Sequence, residues 1–230
     1  MVDADATRSH PLFVELAIRY VDDGRAFHFR GTLAGAMLEP WDAVFVCTPA
    51  GTHLAVAREV IEAGCRGLFI EKPLSTSIDG VAELVADCEA RGVVTMGACN
   101  MRWAYGPIPA PGDRETIYAD CMGPLSAWGP GHERYRANGI VLESLIHEID
   151  LCAWVAGPIT EIMESEVDDD SARVVMEHER DIRSATYAVW SEGCPVLRQI
   201  STSSGYYAPH TSDDMYRQEM THFLDCVANG

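Results

Sequence analysis

The sequence predicts an α/β protein: a doubly wound parallel sheet followed by an α+β domain. Short apolar runs alternate with helical patterns over residues 43–96, as in parallel sheets that are covered on both faces. After residue 140, a long helical pattern precedes consecutive strand-like stretches, which is typical of an α+β arrangement. A Pro- and Gly-rich loop at 105–112 lies near the change of pattern, so we predict domains at 1–99 and 100–230.

The first predicted domain alternates strands and helices with short connections. The apolar run 43–47 ends at Thr48-Pro49, as expected of a strand that is buried on both faces. Gly64 and Gly92 follow two helical patterns, where glycine commonly ends a helix. The predicted elements are helices or helical turns at 7–20, 31–38, 53–63 and 77–90, and strands at 27–30, 43–47, 67–70 and 93–96.

The second predicted domain contains two helices and four strands. The acidic run 164–170 is predicted to be a solvated turn, because it lacks the ligand spacing of a calcium loop. The predicted helices are 140–155 and 213–227, and the predicted strands lie near 159–163, 173–178, 182–190 and 196–201.

Composition and charge exclude several classes of function. The 230 residues carry a net charge of -18, so we expect no nucleic-acid partner and no binding to an anionic membrane surface. No apolar stretch approaches the length of a membrane span, and residues 1–9 are unlike a secretory signal. The eight cysteines are scattered without zinc spacing, which predicts free thiols in a cytoplasmic protein.

The first candidate catalytic residue is Lys72, in a Glu71-Lys72-Pro73 sequence directly after a buried strand. A lysine at the carboxyl edge of a parallel sheet can donate hydrogen bonds to a substrate oxygen. Pro73 restricts Lys72 to an extended conformation and is a candidate for a cis bond. The alternative is a surface lysine that pairs with Glu71.

Glu143 and His147 form the second candidate pair. Their i, i+4 spacing places both side chains on one face of the predicted helix 140–155. A carboxylate can hold one imidazole nitrogen and leave the other as an acid or base, and Asp150 could do the same. The alternative is a histidine whose hydrogen bonds are satisfied inside a domain interface. No third metal ligand is indicated, so we predict no metal site.

Polar residues at the same sheet edge are candidates for cofactor binding. Asn100 and Arg102 follow the third strand of the 43–96 region, and an acidic residue near the front of the chain could bind an adenosine ribose. The alternatives are a turn, a solvated arginine and a frayed acidic terminus. The candidate cofactor-binding residues are Asp3, Thr48, Pro49, His53, Glu71, Lys72, Asn100 and Arg102.

Several motifs together resemble the Gfo/Idh/MocA family of NAD(P)-dependent sugar oxidoreductases. They occur in the order of the family and cover most of the chain. These motifs are DAVFVCTPAGTH at 42–53, GLFIEKPLS at 67–75, GACNMRW at 97–103, NGIVLESLIHEIDLCAWVAG at 138–157 and MYRQEMTHFLDCVANG at 215–230.

The resemblance implies a Rossmann-like domain followed by a domain with an open, mostly antiparallel sheet, through which we expect a homo-oligomer to form. It implies hydride transfer between NAD or NADP and a hydroxyl or keto carbon of a sugar, cyclitol or nucleotide sugar. Lys72 matches the family lysine, His147 the family histidine, and Glu143 the acid that is usually Asp. His147 would be the acid or base, and Glu143 would hold it.

The resemblance also implies a first strand and a glycine-rich phosphate loop. No G-x-G-x-x-G occurs in the 230 residues, and the chain opens with MVDAD, which resembles the end of the second strand. We therefore expect an incomplete Rossmann-like sheet, either because the protein is shortened or because the 230 residues are part of a longer chain. The alternative function is that of a non-redox member which binds a ligand or a partner through the same cleft.

Overall fold

Two sheets organise the part of the chain that the structure describes. A computed structural model of the protein describes residues 41–128, 133–210 and 214–230. The predicted elements at 7–20, 27–30 and 31–38 lie outside these residues, as does Asp3. The two described sheets have three and six strands, which confirms the predicted fold class.

The first sheet is parallel and has the strand order β1-β2-β3. All four residues of the central strand are buried, which explains why its sequence, GLFI, is wholly apolar. Two helices connect the three strands in the predicted βαβαβ pattern. These elements are β1 (Ala43–Val46), α1 (His53–Glu62), β2 (Gly67–Ile70), α2 (Val81–Arg91) and β3 (Val94–Gly97), and a 3₁₀ turn at Ala50–Thr52 precedes α1.

Helix α2 begins four residues later than the predicted helix 77–90. Ser77 Oγ donates to the Asp79 carboxylate at 3.0 Å and accepts the Asp79 N–H at 3.1 Å. Such local bonds compete with the helical ones, and Gly80 then adopts a left-handed conformation with φ of 77°. The two flanking strands differ from the prediction by a single residue at their ends.

The second sheet has the order β5-β6-β7-β4-β8-β9. Its central pair, β4 and β7, is parallel, and all its other neighbouring pairs are antiparallel. The strands are β4 (Thr116–Gly123), β5 (Ile159–Val167), β6 (Ser171–His178), β7 (Arg183–Trp190), β8 (Leu197–Thr202) and β9 (Gly205–Tyr207).

Three features of this sheet differ from the prediction. Strands β4 and β9 had no counterpart in the predicted elements. Strand β4 alternates between its two faces, but two of its buried residues, Ala119 and Cys121, are small, so its apolar pattern is weak. The interpretation of 164–170 as a turn was wrong for its first four residues, because strand β5 continues to Val167 at the exposed edge of the sheet.

Helices cover one face of the six-stranded sheet, and the main hydrophobic core lies between them. The predicted helix 140–155 is the later part of a compound element, in which Gly139 has a φ of 79° and a π-helical turn separates two α-helices. The parts of this element are α4 (Glu133–Ile140), the π turn (Val141–Leu145) and α5 (Ile146–Ala156). The other helices are α3 (Met101–Ala104) and α6 (Asp214–Asn229), and 3₁₀ turns lie at Leu125–Trp128 and Glu179–Asp181. No helix in the described ranges is long and apolar enough to span a bilayer.

The C-terminal helix α6 packs on the first sheet. Phe223 is fully buried, and its ring lies 5.3 Å from that of Phe45 and 5.5 Å from that of Phe69. Gly67 allows this close approach, because a Cβ atom at that position would lie 2.3 Å from Val227 Cγ2. The boundary between residues 99 and 100 stays a prediction, since the last helix of the second predicted domain contacts the first sheet.

Helix α6 also buries a carboxyl group against this sheet. Glu219 is 2% exposed, and its Oε1 atom has no hydrogen-bond partner among the described residues. Burial, together with the charges of Glu71 and Asp150, raises the pKa of Glu219 to about 8, although the Cys99 N–H and Arg102 act against this. The folded protein therefore holds a proton on Glu219 near neutral pH.

We expect Gly67→Ala to destabilise the protein by about 1–3 kcal/mol, because the added methyl group overpacks the contact with Val227. Urea unfolding monitored by circular dichroism measures this change. Gly97→Ala is the matched control, since a Cβ atom there has no neighbour within 4 Å. Equal free energies of unfolding for the two variants would contradict the close approach.

We expect Glu219→Gln to stabilise the protein by about 3–5 kcal/mol at pH 8 and to have little effect at pH 4.5. The raised pKa means that the folded state binds more protons than the unfolded state between pH 4.5 and about 8. The wild-type free energy of unfolding thus falls as the pH rises through this range, and the glutamine removes that part of the slope. Urea unfolding across the range measures it, with the exposed Glu62→Gln as control. If the free energy of unfolding depends on pH in the same way in wild type and in Glu219→Gln, the folded protein does not hold a proton on Glu219.

Candidate functional site

The candidate site lies where the loop after β2 meets the π turn that precedes α5. The loop carries Glu71, Lys72 and Pro73, and the bond between Lys72 and Pro73 is cis, as the sequence allowed. Loops at the carboxyl ends of parallel strands form ligand sites in doubly wound sheets. The structure thus brings Lys72 and Glu143 together, although they are 71 residues apart in sequence.

Lys72 is held by two oxygens of one residue. Its Nζ atom lies 2.8 Å from Glu143 Oε2 and 3.0 Å from the Glu143 carbonyl oxygen. The side chains of Lys72 and Glu143 are 18% and 8% exposed, and the ammonium lies 6.0 Å from the centre of the Tyr135 ring. The alternative of a surface lysine that pairs with Glu71 is wrong, because Lys72 pairs with Glu143 across the two sheets. Glu71 instead accepts the Lys72 N–H at 2.6 Å.

Glu143 does not hold His147, contrary to the sequence-based expectation. Its Oε2 accepts from Lys72, and its Oε1 accepts from Asn138 Nδ2 at 2.5 Å. Glu143 lies in the π turn, whose i→i+5 bonds widen the helix, so i, i+4 residues no longer align as in an α-helix. Asp150 does not hold His147 either, because it pairs with Arg102.

His147 is buried in the first turn of α5. It is 7% exposed, and its Nδ1 atom has no hydrogen-bond partner among the described residues. Burial, and then the positive charges of Arg198 and Lys72, lower the pKa of His147 well below its ordinary value. The imidazole is therefore neutral near pH 7, which is the form that can accept a proton.

A buried ion pair lies beside His147. Arg198 on β8 reaches the Glu148 carboxylate, with 3.2 Å between Nε and Oε1, and donates to Cys121 Sγ at 3.1 Å. Burial raises the pKa of Glu148 to about 7, and Arg198 acts against this rise. Neither Glu148 nor Arg198 was a candidate in the sequence, because a carboxylate and a guanidinium 50 residues apart carry no local signal.

The loop after β1 is tied to the Lys72 loop by His53. The ring of His53 lies between two carbonyl oxygens, with Nδ1 2.8 Å from Pro73 O and Nε2 2.6 Å from Thr48 O. His53 therefore joins the two loops. A hydrogen bond from this ring to a cofactor would require one of these two contacts to break. The side chains of Thr48 and Pro49 are exposed at the same edge.

Asn100 and Arg102 lie beyond β3. Arg102 binds both carboxylate oxygens of Asp150, with 2.7 Å from Nε to Oδ2, so the alternative of a freely solvated arginine is wrong. Asn100 Oδ1 is buried without a hydrogen-bond partner among the described residues. A buried amide oxygen of this kind is available to a ligand. The role predicted for Asp3 concerns a residue outside the described part.

One signal in the sequence singles out Lys72 without any structure. It is the sole lysine among the 17 Lys and Arg residues of the chain. Arginine serves at all the other basic positions, and a guanidinium is a larger, planar group that cannot replace an ammonium at a confined site. Its single use, at the carboxyl edge of a parallel sheet, is a signal that the sequence alone offered for this position.

Comparisons with known proteins agree with the motifs. Residues 2–98 match the model of the Gfo/Idh/MocA oxidoreductase family, described as having an NAD-binding Rossmann fold. An uncharacterized oxidoreductase, YrbE, of Bacillus subtilis is 27% identical over 128 residues, which are 53% of this chain and 37% of the relative. An inositol 2-dehydrogenase of Ralstonia nicotianae is 30% identical over 129 residues, 54% of this chain and 38% of the relative. The matches thus span well under half of these relatives' length.

Solved structures extend the likeness to the second sheet. UDP-N-acetylglucosamine 3-dehydrogenase GnnA of Acidithiobacillus ferrooxidans superposes with a TM-score of 0.75 at 20% identity, over 99% of this chain and 80% of that one. For a myo-inositol 2-dehydrogenase of Lactobacillus plantarum, the TM-score is 0.74 at 13% identity, with the same coverage. At these identities the likeness shows the fold. Residues 2–98 thus match the Gfo/Idh/MocA oxidoreductase family, and the motifs beyond residue 98 resemble the same family.

Proposed function

We propose that the protein is an NAD(P)-dependent oxidoreductase that interconverts a hydroxyl and a keto group on a sugar, cyclitol or nucleotide sugar. The observation that carries this proposal is the meeting of the sole lysine with Glu143, next to the neutral, buried His147. This arrangement lies at the carboxyl edge of a parallel sheet whose sequence matches an NAD-binding family. It supplies one donor and one base to the same cleft.

The described residues fit the nicotinamide end of such a cofactor. Thr48 and Pro49 are exposed beside the Lys72 loop, and Asn100 has a buried amide oxygen without a partner among the described residues. The chemistry that a bound nicotinamide cofactor would supply is hydride transfer to or from the carbon that carries the reacting oxygen. Asp3 favours NAD over NADP in this proposal, because a carboxylate repels the 2′-phosphate.

His147 is the proposed general base in the direction of oxidation. As the carbinol loses its hydride, its O–H proton passes to the neutral imidazole, and the carbon–oxygen bond becomes a carbonyl. In reduction, the imidazolium returns that proton to the oxygen while the carbon receives the hydride. The nearby charges of Lys72 and Arg198 favour the neutral ring and so favour release of the proton.

Lys72 is the proposed group that orients and polarises the reacting oxygen. Its ammonium carries three donors, and two oxygens of Glu143 occupy only part of this capacity. A donor aimed at the oxygen stabilises the negative charge that develops there. In this proposal Glu143 holds Lys72, whereas the sequence had suggested that it holds His147.

The substrate class and the compartment are part of the same proposal. The relatives and solved structures include inositol 2-dehydrogenases and a UDP-N-acetylglucosamine 3-dehydrogenase, which supports a polyhydroxylated substrate. All eight cysteines are free, as predicted, and this supports the cytoplasm as the compartment.

We also propose that the open face of the six-stranded sheet binds a second copy of the chain. Tyr118, Tyr187 and Tyr206 are 51%, 39% and 81% exposed, and the strand register places all three on this face together with Leu197. Exposed aromatic clusters of this kind are typical of protein interfaces. Asp120 lies on the same face, and its carboxylate accepts a hydrogen bond from Gln199 at 3.0 Å.

We expect Lys72→Met and His147→Asn each to lower kcat about 100-fold or more, because each removes a group that acts on the reacting oxygen. The assay follows reduced cofactor at 340 nm with NAD or NADP and with myo-inositol or UDP-N-acetylglucosamine. For wild type in oxidation, the acid limb of kcat/KM lies below pH 6.5, since the pKa of His147 is lowered. Arg91→Met and His222→Asn, both at exposed residues, are the matched controls.

Unchanged turnover in either catalytic variant would refute the assigned roles. Isothermal titration with each nucleotide tests the cofactor separately. If neither NAD nor NADP binds at millimolar concentration, the non-redox alternative replaces the oxidoreductase.

We expect the wild type to sediment as a dimer or a larger homo-oligomer, and the double variant Tyr118→Glu/Tyr187→Glu to sediment as a monomer, because buried carboxylates would oppose the interface. Analytical ultracentrifugation measures both. Ile78→Glu is the control, since Ile78 is 88% exposed but lies outside the sheet. A monomeric wild type would contradict the proposed interface.

A further inference from the structure

We propose that Asn138 is a positioning residue, which sets the Glu143 carboxylate against the Lys72 ammonium. Its catalytic consequence rests on the proposed function of Lys72, whereas its effect on Lys72 itself does not. Three contacts define the unit: Asn138 Nδ2 to Glu143 Oε1 at 2.5 Å, and Lys72 Nζ to Glu143 Oε2 at 2.8 Å and to Glu143 O at 3.0 Å.

The first step in the argument is the burial of the carboxylate. The Glu143 side chain is 8% exposed, so each carboxylate oxygen requires a donor from the protein. Lys72 serves Oε2 and Asn138 serves Oε1, which leaves neither oxygen without a partner. Without Asn138, Oε1 loses its donor, and the carboxylate is free to rotate about its last torsion.

The second step is the chemistry of the donor. An amide donates without a positive charge, so Asn138 orients the carboxylate but does not neutralise it. Glu143 keeps its full charge for Lys72, the cation that it pairs with among the described residues. An arginine or lysine at 138 would compete with Lys72 for the same carboxylate.

The third step is the backbone that brings the amide to this place. Asn138 ends the regular part of α4, and Gly139 follows with a φ of 79°, which turns the chain into the π segment that carries Glu143. Residues five apart then face each other across this turn. A left-handed conformation favours glycine, so the Asn-Gly sequence provides both the donor and the turn.

The chain offers a direct readout of this contact, because Lys72 is its sole lysine. Sulfo-N-hydroxysuccinimide acetate acetylates free amines, and mass spectrometry of the peptide that contains residue 72 follows Lys72 separately from the terminal amine. A lysine that is held in an ion pair reacts slowly, because its ammonium must lose a proton and leave its partner first.

We expect Asn138→Ala to raise the acetylation rate of Lys72 about fivefold and to lower kcat for myo-inositol with NAD about tenfold, with KM changed less than twofold. Asn138→Gln keeps the amide, so we expect it to reverse at least half of each change, that is, of the faster acetylation of Lys72 and of the lower kcat. Asn138→Leu has a similar size but no donor, so it repeats the test if the alanine variant does not fold. Asn229→Ala, at an exposed asparagine of α6, is the control and behaves as wild type.

The two readouts separate this proposal from the proposed function. Wild-type acetylation rates in folded Asn138→Ala and Asn138→Leu would overturn the positioning role. Faster acetylation in both variants, together with a wild type that turns over no polyol or nucleotide sugar, would support the positioning of Lys72 and overturn the oxidoreductase proposal. Faster acetylation with unchanged kcat in an active enzyme would overturn the catalytic consequence.

Discussion

The ion pair between Lys72 and Glu143 is the contact on which the candidate site depends. It joins the loop after the central strand of one sheet to the helical layer that covers the other sheet. Both partners lie mostly out of water, so each requires the other: a buried charge without its partner is strongly destabilising. The pair therefore holds the loop after β2 against the π turn, at the carboxyl edge of the parallel sheet where the candidate site lies.

Burial selects the protonation states around this pair. His147 is neutral because it is buried and because Arg198 and Lys72 are positively charged. Glu148 and Glu219 keep their protons to higher pH than ordinary carboxyl groups, because desolvation opposes their ionisation. The protein has a net charge of -18. Even so, these buried titratable groups are either neutral or ion-paired, and the surplus of acidic residues lies at other positions of the chain.

The sequence predicted an element correctly where its residues are strongly apolar. It did not predict a strand whose buried residues are small, or the effect of a π turn on side-chain contacts. The apolar run of β2 predicted a buried strand, and all four of its residues are buried. Strand β4 was missed because its inward residues Ala119 and Cys121 are small, although this strand lies at the centre of the sheet. The spacing of Glu143 and His147 predicted a contact that the π turn prevents.

The amino-acid sequence by itself indicated the fold class, the family resemblance and Lys72 as a candidate, because apolar runs, ordered motifs and a single lysine are local or compositional features. The tertiary structure decided what Lys72 contacts. Asn138, Glu143 and Lys72 meet across two sheets, and no spacing in the sequence encodes that meeting. This meeting depends on the positive φ of Gly139, on the π turn and on the free-energy cost of burying a charge without a partner. All three depend on how distant segments of the chain pack together.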